Sequence, residues 1–238
     1  MSMTQRKHDQ LRDLTFDIGF QKHPKGSVLM GFGNTRVLCS ASVRPGAPRW
    51  KVEQELPGGW VTSEYRMLPG STNTRKSRPR GRVSSRSIEI QRLIGRSLRA
   101  VVDVEAIGPN SIYVDCDVID ADGGTRCASI TGGAVALYKA LHTLKDEGMI
   151  DTVPMSEMVA AVSVGVKNDE VFLDLDYALD STVDVDMNIV MTESGRLVEV
   201  QGTAEEQAFT RDQLNQMLDL AEKGIKEIVK AQKKALGI

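Results

Sequence analysis

The stretch DCDVIDADGGTRCASITGG, running from Asp115 to Gly133, is where the chain changes character. An alternating run ends near Ile119, the pair Gly123-Gly124 follows, and a Thr125-Arg126 step opens the helix-spaced apolar positions Ala128, Val135, Leu137, Ala140 and Leu141. The reading is a strand, a glycine turn and a helix N-terminus, with the helix extending to about Glu147. Such a junction aims unpaired backbone N–H groups and the positive end of a helix dipole at one point, which suits a phosphate or carboxylate. Arg126 falls in the first helical turn, where its charge opposes the dipole by about 0.3–1 kcal/mol unless an anion sits beside it. The plainer alternative is a tight turn with a solvated arginine, and only the rest of the chain separates the two.

Upstream, short strands are expected at 15–20, 27–32 and 35–43, the last two joined as a hairpin through Gly33-Asn34. Two irregular segments follow, 44–59 and 66–85, separated by the run Trp60 to Tyr65. The second carries Arg66, Arg75, Lys76, Arg78, Arg80, Arg82 and Arg86, with no acidic residue between Glu64 and Glu89. A run of this kind is often only a solvated surface, but guanidinium forks match phosphate oxygens two at a time, so the arginine share points to a phosphate backbone. Ser84-Ser85 reads as the cap of a helix with Ile90, Leu93, Ile94, Leu98 and Val101 on one face. That places Arg86, like Arg126, at a helix start, so the two can share one anion.

Downstream, hairpins are expected at 158–166 with 171–175 and at 183–191 with 197–201, then a long helix with the stripe Leu214, Leu218, Ala221, Ile225 and Ile228. The order resembles that of the first half. The expected architecture is α+β: two related strand-then-helix halves, about 1–150 and 151–238, with mixed sheets covered by helices in one domain spanning 1–238. In between lies the acidic run 174–186. Strand period places Asp184 and Asp186 on one face, and carboxylates so close need a cation or an arginine between them. With only three histidines, none at ligand spacing, an oxygen-only set favours magnesium or manganese.

The 238 residues are 41% hydrophobic and 26% charged, enough to bury a sizeable core. A net charge of −2 excludes a generally basic nucleic-acid coat, so any polyanion site is a local patch. Three cysteines, odd in number and without C-x-x-C spacing, suggest free thiols and a reducing cytoplasm. No run approaches the ~18 apolar residues of a membrane span. Neither a nucleophile elbow nor a P-loop pattern occurs.

An anion socket, an arginine-rich loop and a carboxylate cluster together exceed what a phosphodiester hydrolase needs. The socket makes sense if inorganic phosphate is itself the nucleophile, which is phosphorolysis. At this point the runs GNTRVLC at 33–39, GWVTSEY at 59–65, EIQRLIGRSLR at 89–99, DADGGTR at 120–126, DSTVDVDMN at 180–188 and VEVQGT at 198–203 resemble the ribonuclease PH family, in order and over nearly the whole chain.

The resemblance implies a phosphate-dependent 3′-to-5′ exoribonuclease and tRNA nucleotidyltransferase. Such an enzyme trims tRNA precursors, releases nucleoside diphosphates reversibly, and forms a homohexamer built as a trimer of dimers. It places the phosphate site on Arg86, Gly124, Thr125 and Arg126, the catalytic and metal positions on Asp180 and Asp186, and RNA-holding arginines on Arg75 and Arg78. Asp184 joins the metal positions on strand period alone. The chain departs from the family pattern at Arg66, Gly70, Ser84-Ser85, Cys127 and Leu179, and in Thr4-Gln5-Arg6 near the start. The alternatives are a non-catalytic RNA-binding ring subunit of an exosome-like assembly, expected to lack Arg126, Asp180 or Asp186, and a hydrolytic exonuclease that ignores phosphate.

Overall fold

The computed structural model describes residues 6–78, 83–205 and 207–238; Arg80 and Arg82 of the arginine run lie outside them. The first half is a five-stranded sheet in the order β1-β2-β3-β5-β4, from β1 (Leu14–Ile18), β2 (Gly26–Phe32), β3 (Thr35–Pro45), β4 (Trp60–Met67) and β5 (Asn110–Asp120). All its pairings are antiparallel except β4 with β5. Period-two alternation shapes it: Val37, Cys39 and Ala41 of β3 and Ile112, Val114, Cys116 and Val118 of β5 all point into the core.

Two helices cover that inner face. In α2 (Ser85–Arg99) the buried residues include Ile90, Leu93, Ile94 and Leu98, the predicted stripe, and Ser84 caps the helix by accepting the Ser87 amide at 3.2 Å. The other, α3 (Thr125–Asp146), is apolar almost all round, as a helix buried on several sides must be. It packs against β2, β3 and β5 and, on another side, against β6 (Val159–Lys167) of the second sheet.

That sheet runs β7-β6-β8-β9, with β7 (Glu170–Leu173), β8 (Val185–Thr192) and β9 (Leu197–Ala204), antiparallel throughout rather than mixed. The long helix α5 (Arg211–Leu236) lies on β6 and β7 and starts in a reciprocal cap between Thr210 and Gln213. One continuous apolar core runs from Val28 in β2 to Val229 in α5, so the halves share an interior through α3.

The structure adds two short helices where irregular chain was expected: α1 (Arg49–Glu53) and α4 (Tyr177–Asp180). Both are about one turn long, too short for apolar periodicity to reveal. Strand β8 begins at Val185, two residues later than the alternation suggested. No described helix is long and apolar enough to cross a membrane.

Candidate active site

At the β5–α3 junction both glycines have left-handed backbones, Gly123 at φ 75° and Gly124 at φ 66°. A Cβ on Gly123 would come within 2.6 Å of the Leu175 oxygen and of the Asp176 carbonyl carbon, so this turn presses on the segment before α4. Gly124 is the N-cap of α3 and has no side chain to accept the first amides, which leaves them for a ligand.

The loop is held from three directions. Thr35 takes the Asp122 amide at 2.8 Å and donates to the Gly123 carbonyl at 2.7 Å, while Asn34 donates to the Asp122 carboxylate at 3.0 Å. Arg12 Nη1 donates to the Asp122 carbonyl at 2.6 Å. The hairpin GNTR thus serves as a brace for the socket.

Thr125 and the Tyr65 hydroxyl lie 2.8 Å apart. Burial raises the Tyr65 pKa, and the Thr125 contact, Arg86 and Arg126 pull against that rise, which places both arginines within electrostatic reach of one phenol. Arg126 is largely buried and donates through Nη1 to Gln201 Oε1, with Glu89 Oε1 further off at 3.5 Å. Arg86 is exposed in the first turn of α2.

Across the junction, Asp180 closes α4 and Asp186 belongs to β8. Partial burial raises the Asp180 pKa, Asp186 raises it further, and Arg86, Arg126 and Arg12 lower it. The predicted phosphate arginines and the predicted carboxylate pair therefore share one field. Asp184 stands apart: its Oδ2 accepts the Asn168 amide at 3.0 Å and so tends the β6–β7 turn. Among the described residues no three or more His, Cys, Asp or Glu gather as a metal cluster. Asp180 and Asp186, near enough for one charge to raise the other's pKa, still fit magnesium, which is commonly held by one or two carboxylates with water and substrate phosphate completing its shell.

Arg75 and Arg78 are exposed, on the segment after β4. That segment starts fixed beside β5, with the Leu68 amide donating to the Val118 carbonyl at 3.0 Å and the Ala121 amide to the Ser71 carbonyl at 2.8 Å. The arginine run therefore springs from the rim of the socket. Gly70 faces open space.

Sequence reasoning missed Arg12, Tyr65, Thr35 and Gln201 as site residues. Tyr65, Thr35 and Gln201 lie inside the quoted runs at 59–65, 33–39 and 198–203, so a signal existed without a role attached; Arg12 carried no such signal.

Comparisons with known proteins show the family to which the chain belongs. Residues 10–141 match the model of the 3′ exoribonuclease family, domain 1, and residues 157–224 that of domain 2. The chain is 55% identical over 235 residues to a ribonuclease PH of Corynebacterium efficiens, covering 98% of this chain and 95% of the relative. It is 52% identical over 238 residues to a ribonuclease PH of Bacillus subtilis, with the same shares covered. Among solved structures it is similar to rice (Oryza sativa) Rrp46, with TM-score 0.80, 18% identity and 98% and 99% of the two chains covered. It also resembles a chain of the Archaeoglobus fulgidus exosome with RNA bound to the active site, with TM-score 0.80, 19% identity and 95% and 90% covered.

Proposed function

The chain belongs to the 3′ exoribonuclease family, in its ribonuclease PH branch, and is a phosphorolytic 3′-to-5′ exoribonuclease; from that premise we propose how its residues divide the work. The observation that carries the proposal is the α3 N-terminus, where the N-cap Gly124 leaves the first amides without a side-chain partner beside Thr125 and the Gln201-anchored Arg126. Free helix amides, the Thr125 hydroxyl and the two guanidinium groups bind inorganic phosphate and hold one of its oxygens in line with the last phosphodiester of an RNA.

Phosphate oxygen bonds to the phosphorus of the terminal nucleotide, and the bond from that phosphorus to the preceding 3′ oxygen breaks. The products are a nucleoside diphosphate and an RNA one residue shorter, whose 3′ oxygen takes up a proton. The reverse reaction adds a nucleotide. Arginine charge offsets the negative charge that spreads over the phosphoryl oxygens. Asp180 and Asp186 are the residues that would hold magnesium or manganese, which when bound supplies further neutralisation at the scissile phosphate. Arg75 and Arg78, exposed beyond the anchored segment, grip the incoming strand as backbone contacts.

The substrates are tRNA precursors and other RNA 3′ ends. A homohexamer, a trimer of dimers, is the working assembly, and the continuous core supports reading 1–238 as one domain. Three buried free thiols support a cytoplasmic location. A non-catalytic ring subunit is disfavoured, because Arg126, Asp180 and Asp186 are all present and the identity to ribonuclease PH relatives exceeds 50%.

The test is an end-labelled tRNA precursor with a short 3′ extension, incubated with magnesium and with or without phosphate. Nucleoside diphosphates released only with phosphate are the expected result. Monophosphates in both conditions would make the protein a hydrolase, and a stable active monomer in sedimentation would remove the ring.

A further inference from the structure

The run VEVQGT at 198–203 lies on β9, an edge strand of the second sheet, and the reaction outlined above leaves it without a task. Two of its side chains reach the first half. Glu199 pairs with Arg96 of α2, its Oε2 2.9 Å from Arg96 Nε, and Gln201, two residues on and so on the same face, accepts from Arg126 Nη1. Gln201 also pairs in register with Asn188 of β8, whose Oδ1 accepts from Cys127 Sγ at 3.3 Å. The first turn of α3 therefore rests on two neutral amides supplied by the second sheet.

The charge of the anchor matters as much as its position. An arginine fixed by a carboxylate has its charge largely spent before any phosphate arrives, whereas an amide oxygen orients the same guanidinium and leaves its charge intact. A carboxylate is at hand, since Glu89 Oε1 lies 3.5 Å from Arg126 Nη1. Gln201 Nε2 is also 3.5 Å from that oxygen, so amide, arginine and carboxylate touch one another, and it is the amide that holds the near place on the arginine.

We infer that Gln201 is a positioning residue for the phosphate nucleophile: its neutral amide fixes the Arg126 guanidinium at the socket without neutralising it. This rests on the phosphorolytic reading of the same site. A purely structural Gln201 would be indifferent to the charge left on Arg126, so a glutamate of the same shape, which pairs with Arg126 but faces Glu89, separates the two roles through phosphate binding.

The experiment is steady-state phosphorolysis of a short RNA by the full-length wild type, Gln201→Glu and Gln201→Ala, varying phosphate and RNA separately, with thermal unfolding of each. Expected is a KM for phosphate raised about tenfold or more in Gln201→Glu, the range for weakening one charge-assisted contact, with KM for RNA within about twofold and little change in Tm, because the new ion pair with Arg126 is opposed by repulsion from Glu89. Gln201→Ala, which frees the guanidinium but spares its charge, should raise the phosphate KM less. A Gln201→Glu enzyme with wild-type phosphate KM overturns the inference, as does a defect confined to Tm or to RNA binding. If the wild type releases nucleotides without phosphate, it is the phosphorolytic reading that fails. If Gln201→Glu does not fold, Gln201→Ala decides: an unchanged phosphate KM overturns the role.

Discussion

Arg12 and Asp174 join the two halves beneath the active site: Arg12 Nη2 lies 2.6 Å from Asp174 Oδ1, and Arg12 Nε and its backbone amide reach Oδ2 at 3.0 and 2.7 Å. Arg6 Nη1 adds a contact to the same Oδ2 at 3.0 Å. Asp174 is 2% exposed and sits at φ 57°, a left-handed position that the surrounding bonds enforce. Burial works against the Arg12 charge, but Asp174, Asp122 and Asp176 outweigh it and the pKa is raised. Since Arg12 also holds the Asp122 carbonyl, the pair fixes the socket loop against the turn that precedes α4 and Asp180.

Removing one partner of so buried a pair strands the other charge, at a cost of about 3–5 kcal/mol. Asp174→Ala should therefore lower the urea midpoint sharply and destroy activity through misplacement of the socket. Urea unfolding followed by circular dichroism measures this, and an unchanged midpoint would show that the contacts contribute nothing net.

Asp180 behaves in the opposite sense. Its folded pKa lies above the ordinary value of 3.8, chiefly from burial and then from Asp186. The native state thus binds the proton more tightly than the unfolded chain. That contribution is fully present below pH 3.8 and is lost as pH rises through the higher folded value. Asp180→Asn should remove this pH-dependent loss and raise Tm at pH 7 without added metal, while activity falls about 10²- to 10³-fold. Tm profiles of the two proteins between acid and neutral pH would reveal a rise, or its absence.

Gly123→Ala combines a left-handed backbone with a Cβ 2.6 Å from the Leu175 oxygen. Strain of about 1–3 kcal/mol is expected from the backbone conformation before the clash is counted. The visible effect should be a lower Tm together with a higher KM for phosphate. A fully active, equally stable variant would mean that the turn does not press on the second half as described.

The thiols give a simple chemical check. Cys39, Cys116 and Cys127 are buried, and burial pushes Cys127 up to about 12. Cys116 is also pushed up, first by its contact with Cys39, which faces it across β3 and β5. Thiolate is the reactive form, so a disulfide reagent should find no fast-reacting thiol in the native protein and three after denaturation. Rapid labelling in the native state would contradict this burial.

Much of the protein was legible in one dimension because its signals are local. Alternation along 35–43 and 110–120, the glycine turn at 123–124 and the stripe of α2 each report which side of an element is buried, and they placed Arg86, Thr125 and Arg126 at helix starts. What lay beyond reach depends on contacts between distant segments. Strand period put Asp184 beside Asp186, yet the Asn168 amide takes its carboxylate because the β6–β7 hairpin happens to end there. Nothing local marks Arg12 as the ligand of a residue 162 positions away, or Gln201 as the anchor of Arg126 across 75. Sequence alone set which chemical groups the chain offers and the elements that carry them. Only the packing of α3 against both sheets decided which of those groups share a field, because electrostatic reach and hydrogen-bond geometry are properties of distance in space and not along the chain.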